Sequence, residues 1–225
     1  MEKRIVFLVF LAFCFIIQNA NSQVKKIALT FDADLTENME ERLSRGEVFY
    51  DPEVIEILEK EKVPSTIFLT ALWAINHTGV VRHMANDTAI FEFGNHTYSH
   101  KIFDKNLNQR IKEKEIQNST RILELLTNQK IKLFRFPGGI NSKNDSLLVE
   151  KFGQKVIRWD IASGDAFGKD EFAIFEHVCN EAHDGAIVVF HFGGPKNAPK
   201  TAKALTQIIP WLREHGYEFV KVSDL

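Results

Sequence analysis

Cysteine is nearly absent: the 225-residue chain has two, Cys14 and Cys179. Cys14 lies in an N-terminal stretch that reads as a leader, so the mature chain keeps one thiol and can form no intrachain disulfide. An exported domain without disulfides depends on core burial or on a metal. Cys179 falls at helical spacing with Phe172, Phe175 and Ala182, the pattern of a small core residue rather than a reactive thiol. Excess charge is absent too. The formal net charge is −2, which supplies no field to draw nucleic acid or an acidic membrane. Internal repeats and low-complexity segments are missing. So is any apolar run of the ~20 residues that a bilayer-spanning helix needs. The longest, residues 5–17, follows Lys3 and Arg4 and precedes the small-x-small pattern Ala20-Asn21-Ser22. This is the layout of a secretory signal peptide. We expect residues 1–22 to be the leader and residues 23–225 the mature domain. The protein is then secreted, or placed in the periplasm or cell envelope, with no stable membrane span after cleavage. An uncleaved N-terminal anchor is the competing reading; bulky Phe13 before Cys14 argues against a lipoprotein.

What is present is a 44% hydrophobic composition, enough for one domain with a sizeable core. Apolar runs alternate with helical patterns. Residues 26–31, 65–70, 90–93, 132–136, 155–160, 185–190 and 217–222 read as strands. Asp51-Pro52 reads as an N-cap and first helical residue, with Val54, Ile55, Ile57 and Leu58 as the apolar face. Residues 106–128 form a long charged helix whose apolar residues include Ile111, Ile122, Leu125 and Leu126. A helix over residues 171–182 precedes the sixth strand, and Leu205, Ile208, Ile209 and Leu212 mark the last helix. Alternation of this kind predicts an α/β fold with a parallel sheet covered by helices. About seven units suit a small or incomplete (β/α) barrel; an open doubly wound sheet is the alternative. In both, the loops after the strands build the site.

Asp32, Asp34, His96, Arg135, Asp160, Asp165 and His191 all fall at or just after a predicted strand end. His96 and His100 stand four residues apart; on a helical turn their rings would share one face. If the first strand persists to Asp34, Asp32 and Asp34 also share a face. Asp34, His96 and His100 then make an O,N,N set with open positions, the composition of a catalytic zinc site. The plain alternatives are two solvated histidines and an aspartate that caps a turn. His191 ends an apolar strand at a rim formed by Phe192-Gly193-Gly194-Pro195, where Asp165 could fix its tautomer and raise its pKa. A satisfied core histidine is the competing reading. Arg135 is a charge within the aromatic stretch Phe134-Arg135-Phe136-Pro137, and Asp32 is its candidate partner.

At these residues the sequence resembles the NodB-homology polysaccharide deacetylases, carbohydrate esterase family 4. His96-Thr97-Tyr98-Ser99-His100 matches the family's H-[ST]-x-x-H motif and is the most specific piece. Thr30-Phe31-Asp32, Arg135-Phe136-Pro137, Asp165 and residues 187–191 match further motifs, over nearly all of the mature chain. The resemblance implies a distorted (β/α) barrel, a metal that is usually zinc, Asp32 as base held by Arg135, and His191 as acid tuned by Asp165. It also places Pro137, Gly138, Trp159 and Phe167 against the sugar. Three departures stand out. Ala33 takes the place of the family's second Asp, so the metal carboxylate falls to Asp34. Gly138 and Ala166 replace usual aromatics, leaving Phe136, Phe167 or Trp159 as their substitutes. The implied function is an exported metal-dependent hydrolase removing acetyl groups from N-acetylated sugars of a cell-wall or extracellular polysaccharide, with an acetylated polysaccharide or oligosaccharide as substrate and no nucleic-acid partner. An O-acetyl esterase on the same fold and a decayed glycan-binding protein are the alternatives. Asn-x-Ser/Thr sequons at Asn76, Asn86, Asn95, Asn118 and Asn144 read as by-products of an Asn-rich chain. His77, His83, His177, His183 and His215 lack partner patterns and read as structural or surface residues.

Overall fold

A computed structural model describes residues 24–192 and 200–225. The proposed leader and Gly193-Gly194-Pro195, expected to form a rim beside His191, lie outside the described residues. Strand β1 (Lys25–Ala33) is followed by helices α1 (Glu37–Ser44) and α2 (Pro52–Lys60). Then come β2 (Ser65–Leu69), α3 (Ala71–Asn76), α4 (Thr78–Ala85), β3 (Phe91–Asn95) and α5 (Gln109–Thr127). The second half runs β4 (Leu133–Phe134), α6 (Lys143–Lys151), β5 (Lys155–Val156), β6 (Ile161–Ala162), α7 (Glu171–Glu181), β7 (Ala186–His191), α8 (Lys200–Glu214) and β8 (Tyr217–Phe219). No helix among the described residues is long and apolar enough to cross a membrane.

Every strand pairing is parallel. The order is β5-β4-β3-β2-β1-β7-β6, with β8 beside the start of β1. The two ends of that order, β5 and β6, are neighbours in sequence, so the sheet must curl. Residues 157–160 bridge the ends: the Ile157 N–H donates to Phe134 O at 2.8 Å and the Asp160 N–H to Ile187 O at 3.0 Å. This is a distorted (β/α) barrel and not an open doubly wound sheet. It also explains why the strand expected over residues 155–160 is broken in two. Its first part pairs with β4 and its second with β7, and one straight strand could not bond both edges.

Period-two alternation along β1 sorts its side chains. Ile27, Leu29, Phe31 and Ala33 belong to the large core between sheet and helices. Ala28 points inward with Phe68, Leu133, Ile157 and Val222 and fills the base of the barrel. Thr30 and Asp32 follow on that inward face, so the interior passes from apolar at the base to polar at the strand ends. Local signals place the helices: the Asp51 carboxylate accepts from the Glu53 N–H at 3.1 Å, and Thr70 closes β2 and caps α3. Cys179 is buried, and that burial pushes its thiol up to about 12.

The long charged helix turns a different face inward than its apolar residues suggest. Ile111 and Leu125 are exposed. The buried line is Lys112, Glu115, Ile116, Ser119, Leu123 and Thr127. Two charged residues can lie there because each finds a partner. Lys112 Nζ pairs with Asp145 at 2.8 Å, and Glu115 accepts two hydrogen bonds from Ser99.

Gly94 of β3 stands opposite Phe68 of β2 on the inward face. A Cβ at Gly94 would meet the Phe68 ring at 2.4 Å. Gly94→Ala should therefore destabilise the fold by roughly 1–3 kcal/mol, the usual cost of overpacking. Urea unfolding checks it; an unchanged midpoint would mean that the Phe68 ring moves freely.

Candidate active site and metal centre

The strands' C-terminal ends open into a cavity of about 630 Å³ whose lining includes Asp32, Asp34, His96, His100, Asp165 and His191. On the inward face of β1, Asp32 Oδ1 accepts from Arg135 Nη1 at 2.8 Å, and the same nitrogen donates to Thr30 Oγ1 at 2.8 Å. Arg135 is fully buried. Its guanidinium lies 4.0 Å from the Phe68 ring centroid and 5.5 Å from that of Trp159. Among the described residues its Nε and Nη2 have no hydrogen-bond partner, and these aromatic faces are the compensation they find there. Burial alone would raise the Asp32 pKa; the charges of Arg135, His96 and His191, with the Arg135 hydrogen bond, hold it below the ordinary carboxylate value.

One strand step beyond the helix-facing Ala33, Asp34 returns to the cavity. Its Oδ1 lies 3.3 Å from His96 Nε2 and 3.6 Å from His100 Nε2. The three donor atoms fall within 4.8 Å of one another. Asp34 Oδ1 is buried and accepts no hydrogen bond among the described residues, which in a native protein calls for a partner. His96 Nδ1–H donates to Arg135 O at 2.8 Å, which fixes the tautomer and leaves the Nε2 lone pair facing Asp34. Burial pushes the His96 pKa down, outweighing the pull of Asp32 and Asp34, so the ring is neutral. A buried carboxylate oxygen without a donor beside two imidazole nitrogens fits a divalent cation.

The two imidazoles do not share a helical face. Residues 96–100 form an irregular loop in which Thr97 and His100 have φ of +73° and +58°. The ring centroids still come to 5.0 Å. Such backbone is sparsely populated for non-glycine residues and persists only when its surroundings over-determine it. Here they do. The Thr97 N–H donates to Asn95 Oδ1 at 2.8 Å, and the carbonyls of Thr97 and Tyr98 accept from Ala71 and Leu72 at 3.1 and 3.0 Å. Asn95 itself is fully buried, with Nδ2 bonded to Ile116 O at 3.1 Å. The sequon there cannot carry a glycan in the folded protein.

His191 Nδ1 lies 2.9 Å from Asp165 Oδ1, while the His191 N–H donates to Asp165 Oδ2 at 2.7 Å. Thr201 Oγ1 donates to the same oxygen at 3.0 Å. Burial would lower the His191 pKa, but the Asp165 hydrogen bond and the charges of Asp165, Asp34 and Asp32 raise it to about 9.

Other expected site residues divide. Trp159, Phe167 and Gly138 line the cavity, and Phe167 is 86% exposed. Pro137 is buried and does not line it. Phe136 is buried in a separate cluster with Phe103 and Phe134, so it is no substitute for a sugar-facing aromatic. Asp160 precedes β6 instead of ending a strand, and its carboxylate accepts from the Ile187 N–H at 3.0 Å away from the cavity. Sequence reading missed Thr36, Met39 and Arg42, which line the cavity from the start and body of α1. Their signal is Thr36 as an N-cap, accepting from the Met39 N–H at 3.2 Å. Arg42 lies 5.3 Å from the Phe49 ring centroid and is paired with Glu47.

Residues 19–157 match the family described as polysaccharide deacetylase. The chain is 28% identical to a peptidoglycan-N-acetylglucosamine deacetylase of Bacillus cereus, over 89% of this chain and 88% of that one. It is 25% identical to the peptidoglycan-N-acetylmuramic acid deacetylase PdaA of Bacillus subtilis, over 91% of this chain and 73% of that one. Among solved structures, a CE4 family pseudoenzyme from Bacillus anthracis is similar, with a TM-score of 0.75 at 27% identity over 90% of this chain and 66% of that one. A mutant of it with restored enzymatic activity matches with a TM-score of 0.75 at 28% identity, over 90% of this chain and 68% of that one. With well over half of its length matched to the family and the barrel shared with its solved members, this chain belongs to the polysaccharide deacetylase family.

Proposed function

We propose that the protein is exported and hydrolyses N-acetyl groups on the sugars of a cell-wall polysaccharide. One observation carries the reading: a carboxylate held by Arg135 and an imidazole held by Asp165 face one cavity beside the Asp34, His96 and His100 donor set. Relatives that act on N-acetylglucosamine and on N-acetylmuramic acid in peptidoglycan support the acetamide as the bond and peptidoglycan as the substrate class. Asp34, His96 and His100 would hold a divalent cation, zinc by their donor types, which polarises a carbonyl and acidifies water. Asp32 accepts the proton of the attacking water; Arg135 keeps it ionised for that task. The water oxygen bonds to the acetyl carbon and the C–N bond breaks. His191, its Nδ1–H committed to Asp165, delivers the Nε2 proton to the departing nitrogen. Acetate and a free amine leave, and solvent exchange restores both groups. Trp159 and Phe167 offer apolar faces to the sugar ring.

Protein recovered from the medium should begin at Gln23 and release acetate from N-acetylated peptidoglycan or chitin oligomers. Acetate from O-acetylated glycans alone would make it an esterase. No acetate from either, with glycan binding intact, would make it a binding protein.

Variants separate the two carboxylates. Asp34→Ala, His96→Ala and His100→Ala should each lose most bound zinc, measured by elemental analysis after dialysis. Asp32→Asn should keep the zinc and lose turnover by ~10²–10⁴-fold. Unchanged zinc content in Asp34→Ala would instead give the metal carboxylate to another group.

The pH profile follows from His191. Its pKa is raised, so the proton-donating form is present at neutral pH and is lost as pH rises through the shifted value of about 9. A cation on Asp34 weakens one of the charges raising it, so the alkaline limb of kcat should have its midpoint between 6.5 and about 9. His191→Ala should remove that limb and leave zinc bound; loss of zinc in this variant would make His191 a ligand.

A further inference from the structure

Glu115 is a carboxylate only 6% exposed, on a helix that contributes no residue to the active-site cavity. Burying an ionised carboxylate is costly unless hydrogen bonds repay it. Here both oxygens are spent on one residue: Oε2 accepts from the Ser99 N–H at 2.8 Å and Oε1 from Ser99 Oγ at 2.9 Å. Lys101 Nζ closes the cluster, 3.1 Å from Ser99 Oγ and 4.0 Å from Glu115 Oε1, and pairs outward with Glu37 at 2.8 Å. Ser99 and Lys101 are the chain neighbours of His100, the residue with φ of +58°. From the next residue and the next turn of the same helix, Ile116 O and Thr120 Oγ1 accept from Asn95 Nδ2 at 3.1 and 3.0 Å, beside His96. Both shoulders of the histidine loop are thus tied to α5.

The two ties differ in what they hold. The Asn95 side sits at the end of a paired strand, and His96 has its own bond to Arg135 O. His100 has no such bond among the hydrogen bonds of the described residues, and its strained backbone is fixed only through its neighbours. We propose that Glu115 is the positioning residue for His100: its carboxylate, by gripping Ser99, keeps the second imidazole aimed at Asp34. This rests on the reading of Asp34, His96 and His100 as a cation site. It explains why an acid is buried on a face where sequence periodicity expects none.

The test is zinc affinity of the full-length purified protein, by competition with a chromophoric chelator. Glu115→Ala should weaken zinc binding ~10–100-fold, the range for loss of an outer-shell partner of a metal ligand. Turnover should return when zinc is raised to saturation. Ser99→Ala, which keeps the backbone bond and loses the hydroxyl one, should fall between wild type and Glu115→Ala, and it serves if Glu115→Ala does not fold. Lys112→Met is the control on the same helix: it breaks the buried pair with Asp145 and should lower Tm without changing zinc affinity. Zinc affinity within twofold of wild type in Glu115→Ala, or an equal loss in Lys112→Met, overturns the proposal while leaving the metal reading intact. A wild-type protein that binds no stoichiometric zinc overturns both.

Discussion

Arg135 is the group on which the site depends. Its backbone N–H donates to Asn95 O at 2.9 Å and ties β4 to β3. Its carbonyl fixes the tautomer of His96, and its guanidinium holds Asp32. A fully buried ion pair is weak evidence for stability, because desolvation offsets most of the attraction. Removing either partner is another matter, since it strands a charge at a cost of about 3–5 kcal/mol. The barrel accommodates the cation against the Phe68 and Trp159 rings. Phe68 can lie there because Gly94, its cross-strand neighbour, has no side chain to displace it. A glycine on β3, an aromatic ring on β2, an arginine after β4 and an aspartate on β1 thus form one chain of dependence.

The same principle keeps two histidines of one cavity in opposite states. His96 is buried with only a carbonyl on Nδ1, and desolvation leaves it neutral. His191 is buried too, but its Nδ1 faces a carboxylate, and the ring holds its proton well above the ordinary range. A ligand needs a lone pair and an acid needs a proton. The choice is made by what sits behind each ring, carbonyl or carboxylate, and not by exposure. Asp165 can serve because it is itself satisfied by the His191 and Ala166 N–H groups and by Thr201.

Much of this was legible in the chain. The buried strands announce themselves as near-continuous apolar runs, and Asp32, Asp34, His96 and His191 stand at their ends because that is where a parallel barrel exposes side chains. What escaped was fixed by tertiary partners. The break between Val156 and Ile161 follows from a change of neighbour across the barrel, which no periodicity records. The inward face of α5 is not legible from its apolar residues, because Lys112 and Glu115 can be buried only once Asp145 and Ser99 supply their partners. The spacing of His96 and His100 suggested a helical turn, whereas their convergence is made by left-handed backbone at Thr97 and His100. Phe136 and Trp159 are both aromatic neighbours of strand ends. Only packing shows that one belongs to a core cluster and the other to the cavity.

The irregular Asp32-Ala33-Asp34 spacing has a physical logic of its own. Two carboxylates facing one cavity repel, and one of them takes up a proton unless each has a cation. Alternation along β1 puts Ala33 into the helix-facing core and both acids on the inward side. Asp32 then meets Arg135 deep in the barrel, while Asp34, one step further out, meets the two imidazole nitrogens. The separation lets each acid keep its own partner. Asp32 has its countercharge hydrogen-bonded to it as Arg135, whereas Asp34 Oδ1 faces the Nε2 atoms of His96 and His100, and the protonated His191 stands further off, 4.0 Å from Asp34 Oδ2. In the proposed mechanism that division gives Asp34, beside the two imidazole nitrogens, to the cation and Asp32, beside Arg135, to the proton.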